Sequence, residues 1–413
     1  MNSGRDLRID FFRGLALIFI LWDHIPHNPL GEVTLRNFGL SDAAEIFVFL
    51  AGYSAVLAYG KLARRDGFTV ATVRILRRCW TLYVAHIFLL VLLMGIMFFA
   101  NEHVETRDLV REMGLTDFVE NPQKALVDEL LLRFKPNLMD PLPLYVALLF
   151  GLPAMLPSIL RMPALALAVS LGLYLPATLT GWNLSNEGGG TWYFNPFAWQ
   201  LLFVVGGLMA VRSDSTALAP ARPSPRQPLF VLCLGYIAFC LLLALNWRWP
   251  ALGLQAISPD MPLMKFGPGK TDLVPMRLGN FLALAYVTAC LLPRGGAWLN
   301  ARICQPLCSM GRHSLEVFCF SVLLAPLADI ANALCDDHPV AQYTTAVLAV
   351  VMMVALAAWL DLYKRLGTAR PAAKVAGSGH PGPAIRGRPS GGRPTHSLNP
   401  LRRCQPASVA RPG

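Results

Sequence analysis

The chain has 413 residues, of which 54% are hydrophobic and only 15% charged, and its mean hydropathy is +0.47. A soluble protein of this size carries far more charge, so the composition excludes an ordinary globular enzyme and points to an all-α, polytopic membrane bundle. The formal net charge of +11 does not signal nucleic-acid binding. Ten Lys or Arg residues and no acid follow from Lys364 onward, and that stretch carries neither interleaved aromatics nor a binding motif.

Apolar runs predict ten spans, near 9–26, 42–60, 79–100, 142–160, 163–181, 196–211, 228–247, 277–293, 313–333 and 342–363. Proline or polar residues interrupt the fourth, fifth and ninth. They make one membrane domain, residues 1–363, followed by a disordered basic cytoplasmic tail, residues 364–413, lying near anionic lipid. The first span reads as retained rather than cleaved, because Asp10 and Arg13 stand where the apolar core of a signal peptide should begin.

That first span, RDLRIDFFRGLALIFILWDH, is the most telling segment. A helix turns 100° per residue, so Arg13 and His24 return to nearly one face, roughly 16 Å apart along the axis. Asp10 falls within about 60° of both. Ionisable groups in a membrane helix are costly and usually face a cavity or a partner. Interfacial anchoring explains Asp10 and Arg13 about as well, but covers His24 poorly, far along the same helix.

The second span opens with Ser41, Asp42 and Glu45. Asp42 suits an N-cap, and either acid is expected to orient His24 or the acceptor, since only residues 27–40 separate the two helices. Gly52, seven residues after Glu45, permits close helix packing on that face. In RILRRCW, before the third span, Arg74, Arg77 and Arg78 match phosphate oxygens, although cytoplasmic positive charge alone also predicts them. The connection 101–141 is acidic by contrast, which puts it outside and both termini in the cytoplasm.

Residues 181–199 combine Trp192, Tyr193 and Asn195 with a triple glycine. Aromatic faces and amides suit sugars, and an interfacial aromatic belt accounts for the same rings. Residues 265–280 present Lys270 and Arg277, which can bind an anionic group or snorkel. The ninth span starts GRHSLEVFCF, where Arg312 and His313 suit donor binding or packing. Ser314 beside His313 is no triad, because neighbours on a helix point apart, and no G-x-S-x-G occurs. Nine cysteines form no disulfide framework, and Cys304 with Cys308 lack a second ligand pair, so no metal site is expected.

The blocks RDLRIDFFRGLALIFILWDHIPHNPL, TLRNFGLSDAAEIFVFLAGYSAVLAYG, FNPFAWQLLFVVGG, KTDLVPMRLGNFLALAY and GRHSLEVFCF resemble the bacterial OpgC family. The Arg13-x10-His24 spacing and the Arg74-x2-Arg77 pair are also similar to the membrane acyltransferase type 3 group. The resemblance implies an inner-membrane acyltransferase that succinylates osmoregulated periplasmic glucans. Its donor would be a cytoplasmic acyl-CoA, succinyl-CoA by family, with no bound cofactor, and glucan-synthesis proteins would be its partners. The basic tail inherits nothing from it.

On this reading His24 is the general base, with Asp42 and Glu45 orienting it or the acceptor. Asp10, Arg13, Arg74, Arg77, Arg312 and His313 serve the donor; Trp192, Tyr193, Asn195, Lys270 and Arg277 serve the acceptor. Direct transfer and a covalent acyl-enzyme are both open. The competing class is a proton-coupled transporter or exporter of an anionic small molecule, for which intramembrane Arg, His and carboxylates also speak. No duplicated halves with matching broken helices support it. A non-catalytic partner of a glucan-synthesis complex is a third class.

Overall fold

A computed structural model describes residues 6–104, 107–214, 227–248, 269–292 and 296–368. The expected tail beyond residue 368, and residues 265–268 of the stretch that leads to Lys270, lie outside the described residues. Among the described residues the chain is helical, with a single antiparallel bridge between Ser185 and Thr191.

The first seven α-helices are α1 (Leu7–His24), α2 (Ala43–Asp66), α3 (Phe68–Asn101), α4 (Leu109–Glu112), α5 (Thr116–Glu120), α6 (Pro122–Leu130) and α7 (Pro141–Arg161). The rest are α8 (Pro163–Thr180), α9 (Pro196–Asp214), α10 (Pro228–Arg248), α11 (Pro275–Leu291), α12 (Cys304–Arg312), α13 (Ser314–Ala333) and α14 (Pro339–Thr368). Eight of these are long and apolar enough to cross a membrane. The two other expected spans also form. One is α1, which carries Arg8, Asp10, Arg13 and Asp23, and the other is α11, with only 17 residues. The protein is therefore a polytopic helical membrane protein.

The spans expected to be interrupted stay continuous. Pro153 and Pro157 sit inside α7, Pro176 inside α8 and Pro326 inside α13. Proline removes one backbone bond without ending a helix that neighbours hold on both sides. The basic stretch before the third span is helix as well. Between α2 and α3 only Gly67 is non-helical, at φ +92°, a conformation that L side chains rarely adopt.

Close approach of α1 to α12 and of α2 to α9 holds the centre together. A Cβ at Gly311 would overlap the Asp10 carbonyl, and one at Gly14 would overlap the Leu307 carbonyl. Gly52 meets the Phe203 carbonyl in the same way. Without a hydrophobic driving force between helices in lipid, such backbone proximity supplies the packing attraction. Gly311→Val is accordingly expected to cost at least about 1–3 kcal/mol. Thermal unfolding in detergent reads the effect, with Gly95→Ala as the control. Nothing lies within 4 Å of a Cβ at Gly95, so that variant should be neutral or slightly stabilised.

The end where α1 finishes and α2 begins also carries most of the irregular chain. Helices α4, α5 and α6 fold back over it between α3 and α7. Arg107 straps this segment to α13 through Asp329, at 2.9 Å, while also bonding Glu112. Glu129 of α6 reaches His86 of α3, Oε1 to Nε2 2.9 Å, with both side chains buried. The acidic connection is thus a lid of helices over one end of the bundle.

Candidate active site

Two adjoining cavities run along one face of α2. The larger, of about 490 Å³, lies under the folded-over end and includes His24, Asp42, Asp140, Tyr193 and Lys270 in its wall. The smaller, of about 220 Å³, is lined by Arg13, Arg78 and Arg312 with Ser54, Tyr59 and Ser314. Both share Phe47, Ala51, Pro141 and Tyr145. On α2 the lining positions 47, 51, 54, 55 and 58 follow helical spacing, so one stripe serves both spaces. The polar stripe of α1 is divided the same way, with Arg13 in the small cavity and His24 in the large one.

His24 closes α1 and is exposed to the large cavity. Its Nδ1 lies 2.5 Å from the carbonyl of Ile20, one turn back. A carbonyl can only accept, so this bond assigns the ring proton to Nδ1 and leaves the lone pair on Nε2. A neutral imidazole held in that tautomer is suited to take a proton from a bound hydroxyl.

The structure does not join Asp42 or Glu45 to His24. Asp42 caps α2, accepting from the Ala44 N–H at 2.7 Å, while the Glu45 carboxylate accepts from the Asp42 N–H at 2.8 Å. This reciprocal capping box follows from the spacing Asp42-x-x-Glu45. The same carboxylates then hold two cations. Asp42 Oδ2 meets Lys270 Nζ at 2.7 Å and Arg277 Nη2 at 2.9 Å, and Arg277 Nε donates to Glu45. Glu45 is wholly buried and does not reach the cavity. Burial alone would raise the Asp42 carboxyl, but Lys270 and Arg277 beside it hold it well below the usual carboxylate range. Burial would lower the Lys270 ammonium, and Asp42 reverses that and holds it above the ordinary lysine value.

Of the residues expected at the donor, Arg13 and Arg312 line the small cavity, and Arg13 Nη2 also donates to the Leu50 carbonyl at 2.9 Å. Arg74 and Arg77 are exposed on the outside of α3 and line neither cavity; Arg78, one residue on, turns inward and does. Asp10 is buried where α1 meets Gly311 of α12, and lines neither space. His313 is buried between α12 and α14, with Nε2 donating to Asp361 at 3.0 Å and Nδ1 accepting from Lys364 at 3.3 Å. Ser309 and Arg312 bind that same Asp361 at 2.6 and 3.2 Å, so His313 belongs to a knot that ties α14 to the bundle.

Among the acceptor residues, Tyr193 and Lys270 face the large cavity. Trp192 is buried with Lys135 over its ring at 4.0 Å, and does not line the cavity. Asn195 is wholly buried as a staple: it donates to the Trp182 carbonyl and to Asp272, both at 2.8 Å. With Trp199, Tyr174 and Thr178, which bond the carbonyls of residues 270 to 273, it fixes the short segment that delivers Lys270. Arg277 stands behind Asp42 rather than in the cavity.

Sequence reasoning did not single out Arg78 above its neighbours, nor Asp23, Asp140 and Tyr145, which all line the site. Among the described residues no group of three or more His, Cys, Asp or Glu side chains could hold a metal ion. No curated protein matches the chain. A family model described as OpgC protein matches residues 5–365, nearly all of the chain that the structure describes.

Proposed function

We propose the reaction from one premise: the chain belongs to the OpgC family. Membership suggests a membrane acyltransferase acting on glucans. The finer reading is O-acylation, with succinyl passed from a cytoplasmic acyl-CoA to an osmoregulated periplasmic glucan across the bacterial inner membrane. Positive charge at the α2–α3 end, against the acidic cover of α4–α6, supports placing the small cavity towards the cytoplasm and both termini inside.

The observation that carries this reading is the pair of adjoining cavities, one with three arginines and the other with His24. Guanidinium forks suit an anionic donor, and its thioester would reach past Phe47, Ala51 and Tyr145 to His24. There Nε2 takes the proton from a glucan hydroxyl as its oxygen attacks the thioester carbonyl. The C–S bond breaks, and the imidazolium returns the proton to the departing thiolate. The ring ends as it began, ready for another cycle. Among the described residues no serine, threonine or cysteine lines the larger cavity, so an acyl-enzyme there would have to form on another nucleophile.

Arg78→Gln tests the donor assignment. Charge-assisted hydrogen bonds contribute about 1.5–3 kcal/mol each, so the donor KM should rise about ten- to a hundredfold. Acceptor KM should stay unchanged, and Arg74→Gln with Arg77→Gln should leave both constants near wild type. Normal donor binding by Arg78→Gln in a direct titration would remove the arginine cavity from the donor path.

A further inference from the structure

Five carboxylates line the large cavity: Asp23, Asp42, Glu112, Asp140 and Asp329. Four are already engaged by the protein. Asp23 accepts from Thr34 at 2.5 Å and pairs with Arg36 at 3.3 Å. Asp42 holds Lys270 and Arg277, and Arg107 takes both Glu112 and Asp329. Asp140 is different. Among the described residues its carboxylate is met only by its own backbone N–H.

Its position would ordinarily be explained as a helix cap, since it immediately precedes α7. It makes no capping bond. The local sequence is Asp140-Pro141-Leu142-Pro143, so the third helical residue, one of the two that a cap usually serves, has no N–H to offer. The nearby lysine is also occupied. Lys135 Nζ donates to the Leu132 carbonyl and to Asn186 Oδ1, both at 3.2 Å, over the Trp192 ring. The approach to Asp140 is moreover held in an unusual backbone: Leu138, two residues earlier and itself in the cavity wall, has φ +75°.

We infer that Asp140 is an acceptor-binding residue, its carboxylate accepting hydrogen bonds from hydroxyls of the glucan lodged in the large cavity. This rests on the acyltransferase reading above, and adds the group that grips the sugar from the wall formed by α7. A carboxylate offers several acceptor sites to neighbouring hydroxyls, and a partly enclosed cavity makes such bonds stronger than in water. Burial raises the Asp140 carboxyl to about 6, against the opposing pull of Lys135, His86 and Lys270. Its charge is therefore full only above that pH, and glucan binding should strengthen as pH rises from 5 to 7.

The test uses the full-length protein in detergent, with a linear glucose oligosaccharide as acceptor. Asp140→Ala should raise acceptor KM at least tenfold while donor KM stays within twofold. Asp140→Asn, nearly isosteric, should raise it less and lose the decline of acceptor KM between pH 5 and 7 that the wild type shows. The oligosaccharide is also titrated directly, without donor. Weakened binding by both variants supports the assignment even if no acyl transfer is detected, in which case the reaction rather than the site is at fault. Wild-type oligosaccharide affinity in Asp140→Ala, or an unchanged pH profile in Asp140→Asn, overturns the role of Asp140. Should the alanine variant unfold, the asparagine profile alone decides.

Discussion

His24→Ala is expected to lower acyl transfer by about 10²–10⁴-fold, the usual range for removing a general acid–base group. The loss should lie in turnover, because the imidazole bonds the Ile20 carbonyl and not the arginines that line the small cavity. Stability should hardly change, since the ring sits exposed at the end of α1 and its bond to the Ile20 carbonyl is local. Thiol release under saturating donor and acceptor measures the effect. Turnover within threefold of wild type would show that another group removes the proton. His24→Gln sharpens the test: it keeps polarity and approximate size but cannot carry a proton away, so it should be nearly as impaired as alanine.

Arg277→Met should be the most destabilising single change in the loop-covered half. It leaves the buried Glu45 without its cation and Asp42 with Lys270 alone. Removing one partner of a buried pair costs about 3–5 kcal/mol, chiefly through the uncompensated charge left behind. Thermal unfolding in detergent should fall sharply, and adding Glu45→Gln to Arg277→Met should recover part of the loss. A double-mutant cycle with coupling near zero would mean that Arg277 and Glu45 contribute independently and that their ion pair does not hold the buried end of α2.

The bundle was legible because its signal is repeated, with each span a run of apolar residues of the length a bilayer requires. Even α1 and α11, weak by charge or length, are apolar enough to read as spans. The α1 stripe was legible for a related reason: helical periodicity alone puts Arg13 and His24 on one face. What the sequence concealed were partners distant in the chain. Asp42-x-x-Glu45 announced a capping box, but nothing local told that Arg277, 232 residues further on, would claim Glu45 and leave His24 to the Ile20 carbonyl. Arg74, Arg77 and Arg78 read alike when the apolar run alone places the start of the third span near residue 79. Once α3 runs unbroken from Phe68, a 100° step between Arg77 and Arg78 decides which guanidinium enters the cavity. Asp140 is one of many acids in the connection 101–141, and only the prolines at 141 and 143 mark it locally as unsuited to an ordinary cap.

In the proposed reaction an acyl group leaves a donor on one side and becomes an ester on a glucan on the other. The purified protein in sealed vesicles tests this directly, with radiolabelled succinyl-CoA supplied only on the side of the small cavity and glucan only on that of the large one. Mass analysis of the recovered glucan should show succinyl esters, in an amount matching the free coenzyme A released, and both products should fall by about 10²–10⁴-fold with His24→Ala. Labelled succinyl-CoA or free succinate appearing unmodified in the glucan compartment, with no ester on the glucan, would contradict the account and identify the two cavities as a transport path.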